Sequence, residues 1–491
     1  MASSSAYSFR KLESIEDFAA LSNSAVLCYP GMKFTSFETR SKKASEWYQA
    51  IQVNPAKTMW GIFANNTEGI QTTASNPKSL SVVVSAPAVG SSSSELPEKD
   101  KPASTQITPT PGLLAYSGHT DFIVNLYGVP TDVLGLGFVG TDLLQKKKGL
   151  AKATVQFFLS EAQRKQHSLV ALYAFRPEFY AKMGFSASTP WIEYTVTPAA
   201  FPRQLVPMPA NSSLVPLGPA DIEEAHEHYT RYAEKVHGMF QRTKAEIKAL
   251  FDTNGDSQAV GWRDGDGKLR GYIIYTFKTT EAFLTNDIQV VELTHENKHA
   301  LSGLLGFLHV QLDQIRHVKF PTQIPQLHRL LSDERDRNEF PTHLIRRLCQ
   351  PAGQRAPGIM YRLVDLDGFF REGRLGANRN FNNQSIRVRF EVSDSFHEST
   401  NGWIGIEFVN GKSSVVESKW SPRQDGQAGH AYDAVVSTTI GHLTAVLVGS
   451  ASVKELYDIG AVSIVPEDGA VVERVAGLLR SAELPREWTL F

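Results

Sequence analysis

Residues 139–185 read VGTDLLQKKKGLAKATVQFFLSEAQRKQHSLVALYAFRPEFYAKMGF. In order, the stretch holds the end of a strand, a cationic glycine turn, a helix, a buried strand and a tyrosine-bearing turn. Lys146, Lys147 and Lys148 stand directly before Gly149 and the apolar-periodic run that opens at Leu150. Cations at a helix N-terminus oppose the helix dipole, which prefers anions there by roughly 0.3–1 kcal/mol each. A bound polyanion reverses that penalty. The free N–H groups of a first helical turn, next to a glycine that allows close approach, suit a pyrophosphate. The triplet also reads as a solvated run at the start of an ordinary amphipathic helix, and taken alone it does not choose between the two.

The neighbours favour the anion site. Residues 132–139 (DVLGLGFV) form a strand-like apolar run that enters the turn. Ala151, Val155, Phe158 and Ala162 recur at helical spacing and predict one buried face. The run SLVALYAF, residues 168–175, is apolar on both faces, as in a central strand covered on each side. The turn therefore lies at the C-terminal end of one strand and beside another, where open α/β sheets bind ligands.

Lys146-x-x-Gly149-x-Ala151 resembles the (Gln/Arg)-x-x-Gly-x-(Gly/Ala) signature of the GNAT superfamily of N-acetyltransferases, with Lys where Arg or Gln is usual. The longer stretch FIVNLYGVPTDVLGLGFVGTDLLQKKKGLA, followed by LYAFRPEFYAKMGF, is similar to the Eis (enhanced intracellular survival) subgroup, particularly its Gram-positive members. That resemblance implies an α/β (α+β) fold of tandem GNAT-like mixed-sheet domains followed by a sterol-carrier-protein-like α+β domain. It covers nearly the whole chain.

The implied activity is acetyl transfer from acetyl-CoA to a primary amine, an aminoglycoside-like polyamine or a lysine side chain. The backbone N–H groups of Val139 and Thr141 would meet the acetyl carbonyl and pantetheine amides, and Lys146, Lys147, Gly149, Leu150 and Ala151 would hold the pyrophosphate. Lysine binds phosphate as a point charge, without the bidentate fork of arginine. Expelling a thiolate is faster when an acid protonates it. The matching tyrosine carries that role in the family, so the resemblance implies Tyr180, in PEFYAKMGF, as the acid. A core tyrosine packing the short helix before Gly184 is the other reading.

In the Eis family the carboxylate of a terminal phenylalanine reaches the active site, and this chain ends EWTLF. An α-carboxylate, with a pKa of about 3.3–3.7, is a poor base unless desolvated or relayed through water. The resemblance thus implies Phe491 as a water-mediated acceptor that also orients the amine. An apolar tail closing the last domain is the alternative. Mycobacterial members are similar to polycation-modifying enzymes with an acid beside the terminal Phe. Here that neighbour is Leu490 and the nearest acid is Glu487, with Asp17 and Glu38 as further candidates.

Composition agrees with this reading without selecting it. A chain of 491 residues exceeds one core, so two to four domains are expected. A net charge of −1 gives no general attraction to nucleic acid or to anionic membrane. Only Cys28 and Cys349 are present, which suggests a reducing compartment. The opening MASSSAYSFRKLES lacks the apolar core of a signal peptide, and no long apolar run predicts a membrane span. Cytoplasmic residence is the resulting expectation.

Three blocks are expected: residues 1–205 as the first acetyltransferase domain, 206–365 as a degenerate second one, and 366–491 as the sterol-carrier-like domain. In the first, helices are predicted over 14–28 and 40–52, and a strand at 59–64 (MWGIFA). A polar insertion at about 65–110 holds SSSSELPEKDKPAS, with SLSVVVSA (79–86) as an added strand of a hairpin. Residues 191–198 (WIEYTVTP) are expected to close the first domain.

The second block has no equivalent of KKKGLA, so it is expected to keep the fold without binding CoA. It contains helices around PADIEEAHEHYTRYAEK and TKAEIKALF, a strand pair turning at Asp264–Gly267, and an end near GIMYRLVDL. In the third, IRVRFEV and WIGIEFV read as strands, and TTIGHLTAVLVGS and VVERVAGLLRSA as helices.

No metal site is expected. In the calcium-loop-like stretch from Asp252, Ser257 takes the required glycine position, and His226 and His228 lie two apart on a helix, facing different ways. The partners implied are a small-molecule or peptide amine and further copies of the chain, a hexamer by resemblance. The competing class is a non-catalytic protein that holds a lipid or other apolar ligand in its C-terminal domain.

Overall fold

A computed structural model describes residues 7–32, 36–66, 80–82, 105–251, 256–279, 286–335, 352–371, 385–420, 431–489 and 491. The chain divides into two compact units. One comprises residues 1–122, 132–173 and Phe491, and the other residues 123–131 and 174–490.

The first unit contains β1 (Tyr7–Lys11), α1 (Ile15–Cys28), α2 (Phe37–Val53), β2 (Lys57–Ala64), the short β3 (Leu80–Val82) and β4 (Thr105–Ile107), then β5 (Leu113–Leu126), β6 (Val129–Thr141), α3 (Leu150–Arg164) and β7 (Leu169–Leu172). The tip of the β5–β6 hairpin, residues 123–131, belongs to the second unit. Strands run in the order β1-β2-β5-β6-β7, antiparallel from β1 to β5, with β6 and β7 parallel.

Ser14 caps α1 in a reciprocal box with Asp17, which satisfies two first-turn donors, and Phe18, Leu21 and Ala25 are buried below. β3 pairs antiparallel with β4, so part of the expected hairpin is present. The rest of the insertion, from residue 67 to 104, lies outside the described residues apart from β3.

The buried stripe of α3 is Leu150, Thr154, Val155, Phe158, Leu159 and Ala162. It is turned slightly from the expected one, so Ala151 is only half-buried. β7 is shorter than predicted. Its four residues are buried, but Tyr173 and Phe175 are 37% and 75% exposed. Pro177 takes the first position of the next helix, where its missing N–H costs nothing.

The second unit continues with α4 (Pro177–Ala181), β8 (Ser186–Ala187), β9 (Trp191–Val196), β10 (Ser213–Leu217), α5 (Ile222–Lys235), α6 (Lys244–Phe251), β11 (Ser257–Arg263), β12 (Leu269–Thr279), β13 (Asn286–His295), α7 (Lys298–His309), β14 (Ile315–Thr322), β15 (Gln354–Ala356) and β16 (Met360–Leu363). It ends with α8 (Leu366–Arg371), β17 (Ile386–Ser393), β18 (Gly402–Val409), β19 (Lys412–Ser418), β20 (Ala434–Thr439), α9 (Ile440–Val448), α10 (Val453–Asp458), β21 (Ser463–Val465) and α11 (Gly469–Leu479). A seven-stranded sheet has the order β10-β11-β12-β13-β14-β9-β15, and a five-stranded one the order β19-β18-β17-β20-β21.

Two strands depart from their expected places. β9 does not close the first block. It pairs antiparallel with β14, Val318 opposite Val196, inside the seven-stranded sheet. In return β16, expected to finish the second block, pairs with β8, Met360 opposite Ala187. Period-two alternation tells which face of a strand is buried, and says nothing of which neighbour it pairs with.

Asp264 to Gly267 form a turn in which Asp264 Oδ1 accepts from the N–H groups of Asp266 and Lys268, at 3.1 and 3.0 Å. Asp252 to Gly255 and Cys349 lie outside the described residues. Among the described residues no helix is long and apolar enough to cross a membrane.

Candidate active site

β6 carries the centre of the site. Its parallel pairing with β7 ends at Leu136, opposite Leu172, so residues 137–141 run on past the last paired position. Phe138 there adopts φ +50°, a left-handed conformation that strains a residue with a side chain. Its ring is held by stacking on Tyr29 at 5.1 Å and by contacts with Trp47 at 5.1 Å and Tyr116 at 5.4 Å.

Beyond the kink the Asp142 N–H bonds to the Leu114 carbonyl of β5 at 2.9 Å. Alternation then turns the peptide groups of Val139 and Thr141 away from β5. Their carbonyls on that side accept from the Tyr29 hydroxyl at 2.6 Å and the Cys28 thiol at 3.3 Å, respectively.

Phe491 lies on the same strand. Its ring packs on Phe122 with centroids 4.6 Å apart. A Cβ at Gly135 would stand 2.7 Å from that ring, and one at Gly137 would stand 3.1 Å from the carboxyl carbon of Phe491. Only glycine gives both groups room. Alternate glycines inside a strand mark a close approach, and Gly135 and Gly137 are the signal that the sequence reading passed over.

The residues before it are gripped within the second unit. Arg242 donates to the Trp488 carbonyl at 2.5 Å and to the Thr489 hydroxyl at 3.1 Å, and pairs with Glu292 at 2.6 Å. Gly238, at φ +89°, gives way to the Arg486 backbone, and Trp488 meets Trp191 at 4.8 Å. The Glu487 N–H donates to Gln323 at 2.7 Å, so Arg242, Glu292 and Gln323 hold the tail. No local sequence pattern marks them, because each acts through a partner far along the chain.

At the other end of the strand, Asp142 caps a short turn through the Leu144 N–H at 3.0 Å, and Lys146, Lys147 and Lys148 follow, all exposed. Lys147 and Gly149 take φ of +65° and +82°. Gly149 is the N-cap of α3, with no side-chain cap and no acidic residue in the first turn, and a Cβ added there would meet nothing within 4 Å. An uncapped N-terminus of a 15-residue helix, open above a left-handed glycine and preceded by three exposed lysines, has the donors an anionic diphosphate needs. Lys148 is partly occupied, donating to Gln145 at 2.8 Å.

Tyr180 belongs to α4 in the second unit and is 5% exposed, its ring against Phe179 and Phe185. Burial pushes its phenol up to about 12, so it keeps its proton at neutral pH.

Each of the three candidate acids has a place of its own. Asp17 is buried, ion-paired with Arg10 at 2.7 Å and used in the α1 cap. Glu38 sits in the first turn of α2, where it complements the dipole. Glu487 is buried in the second unit, accepting from Gln323 at 2.8 Å and from the Ile359 N–H at 3.2 Å. Burial raises its carboxyl to about 7.

A cavity of about 500 Å³ is lined by Phe18, Leu21, Trp47, Met59, Phe138 and their neighbours. His226 and His228 bond separately, to the Arg242 carbonyl and to Glu296 with Thr294. Among the described residues no group of three or more side chains could hold a metal.

Known proteins agree with this architecture. Residues 110–188 and 238–362 each match an acetyltransferase (GNAT) domain family, and 374–486 match the sterol carrier protein domain. No curated protein matches the chain. A conserved protein of unknown function from Enterococcus faecalis, described as a probable N-acyltransferase, is 16% identical, with 99% of each chain covered and a TM-score of 0.66. A GCN5-related N-acetyltransferase from Anabaena variabilis is also 16% identical, with 99% of this chain and 100% of that one covered and a TM-score of 0.66. Eis1 from Mycobacterium abscessus is 18% identical over 77% of this chain and 88% of that one, with a TM-score of 0.59.

The chain thus carries two acetyltransferase (GNAT) domains followed by a sterol carrier protein domain. That fold is shared with Eis1 over most of the chain.

Proposed function

We propose that the chain moves an acetyl group from acetyl-CoA to a primary amine at the open end of β6. The observation that carries this reading is the seating of the Phe491 carboxyl group over Gly137, on the strand whose next residues lead to the lysine–glycine turn. In this proposal Lys146, Lys147, Gly149, Leu150 and Ala151 hold the pyrophosphate, and the N–H groups of Val139 and Thr141 meet the acetyl carbonyl and pantetheine.

The amine nitrogen attacks the thioester carbon. The C–N bond forms, the C–S bond breaks and the thiolate leaves with the electron pair. Tyr180 gives the thiolate a proton. The proton lost by nitrogen passes through water to the Phe491 carboxylate, which is too weak a base to take it without such a relay. Solvent returns the proton to Tyr180. The boundaries at 205 and 365, cytoplasmic residence and a hexamer belong to the same proposal.

Thermal shift against acetyl-CoA and a lipid panel, with CoA release assayed over an amine library, tests the reading. A ligand at about 100 times its Kd stabilises by about 2.7 kcal/mol. A shift with acetyl-CoA and amine-dependent CoA release are expected. A shift with lipid alone would establish the non-catalytic alternative.

A further inference from the structure

The cavity beside Phe138 has a composition of its own. On α2, Lys43, Trp47, Ala50 and Ile51 line it at positions i, i+4, i+7 and i+8, one face of the helix. Glu38 precedes Lys43 by five residues and so faces about 140° away. From α1 come Phe18 and Leu21, and from β2 come Lys57 and Met59, two apart and therefore on one face of the sheet. Among the described residues the lining holds two lysines and no carboxylate.

Lys43 is already paired with Glu46 at 2.6 Å. Lys57 has no ion-pair partner among the described residues, and its register partner is Thr120, between Gly118 and Phe122. Phe122 carries the ring of Phe491. A Cβ at Gly118 would lie 3.1 Å from the Met59 sulfur and 3.5 Å from the Gly137 carbonyl oxygen. The cavity wall thus abuts the place where the Phe491 carboxyl group rests.

We infer that this cavity selects the acceptor: a primary amine with an apolar, aromatic-sized body and an anionic group that pairs with Lys57. The inference rests on the proposed acetyl transfer and names its substrate class. A volume of about 500 Å³ bounded by rings and aliphatic chains favours such a body by burying its apolar surface. Lys57 repels a polycation, whereas Lys43 is neutralised by Glu46. The amine, directed to the Gly137 end, would form its C–N bond there as the acetyl C–S bond breaks, while the acceptor's carboxylate stays at Lys57.

Two readouts on the full-length protein test this. The first is kcat/KM for phenylalanine, 2-phenylethylamine and spermine with saturating acetyl-CoA. The second is quenching of tryptophan fluorescence by each amine without acetyl-CoA, compared with a Trp47→Phe variant. Phenylalanine is expected to exceed 2-phenylethylamine at least tenfold and spermine a hundredfold, and Lys57→Met to bring the first ratio near one. Quenching is expected with phenylalanine and to be lost in Trp47→Phe.

Spermine equal to or better than phenylalanine, with acetyl-CoA still bound in thermal shift, would overturn the inference and leave acetyl transfer standing. A ratio unaffected by Lys57→Met would remove the charge pairing. If phenylalanine neither quenches nor turns over, the acceptor assignment fails; absence of an acetyl-CoA shift would sink the acetyltransferase reading itself.

Discussion

Burial raises the pKa of both Tyr180 and Glu487, with different consequences. The phenol of Tyr180, raised to about 12, retains a proton it can donate. Tyr180→Phe is expected to lower kcat by about a hundredfold, the usual worth of general acid catalysis, with acetyl-CoA affinity unchanged. Turnover within about twofold of wild type would refute the role.

Glu487, at about 7 in the folded chain against an ordinary 4.5, binds its proton more tightly when folded. Its stabilising contribution is therefore complete below about pH 4.5 and is lost as pH rises toward 7. The change is on the order of 3 kcal/mol. Glu487→Gln should flatten that part of the curve of urea midpoint against pH, measured at constant ionic strength; parallel curves for the two proteins would contradict the assignment.

At the scale of elements, two helix N-termini differ in how their donors are met. α3 has cations before its first turn, a left-handed glycine as N-cap and no side chain capping it, so its N-terminal donors lack the usual protein partners. α1 offers the contrast, since Ser14 and Asp17 complete its cap within the chain. Converting Lys146 and Lys147 together to Ala is expected to weaken acetyl-CoA binding by about tenfold or more and to reduce its salt dependence, since each removes a screened charge. Stability should change by less than about 1 kcal/mol, or rise, because two unfavourable dipole interactions disappear. Isothermal titration at two salt concentrations separates these outcomes.

Across the whole molecule the decisive feature is the tail. Residues 485–489 are held in the second unit by Gly238, Arg242 and Gln323, while Phe491 packs in the first on Phe122, Gly135 and Gly137. Adding one residue after Phe491 moves the carboxylate one residue on, away from Gly137. Amine-dependent turnover is expected to be lost, with the acetyl-CoA thermal shift intact. Retained activity would show that the carboxylate has no part.

The strand, lysine–glycine turn and helix of residues 132–164 were legible from composition and period alone, because each is stabilised by contacts within its own segment or by one apolar face. The strands around Asp264–Gly267 and the helices of the last block were legible for the same reason. The partners of β9 and β16 were not, because alternation specifies a buried face and leaves the neighbouring strand open. Nor was the place of Glu487, whose partners Gln323 and Ile359 are distant in sequence, whereas Asp17 bonds within its own helix cap and to the nearby Arg10. Local physics determined which of these segments form. Only the tertiary structure decided which side chains meet, as in the cavity that brings Lys57 and Met59 to Trp47 and Phe138, since that depends on which residues long-range pairing brings to one face.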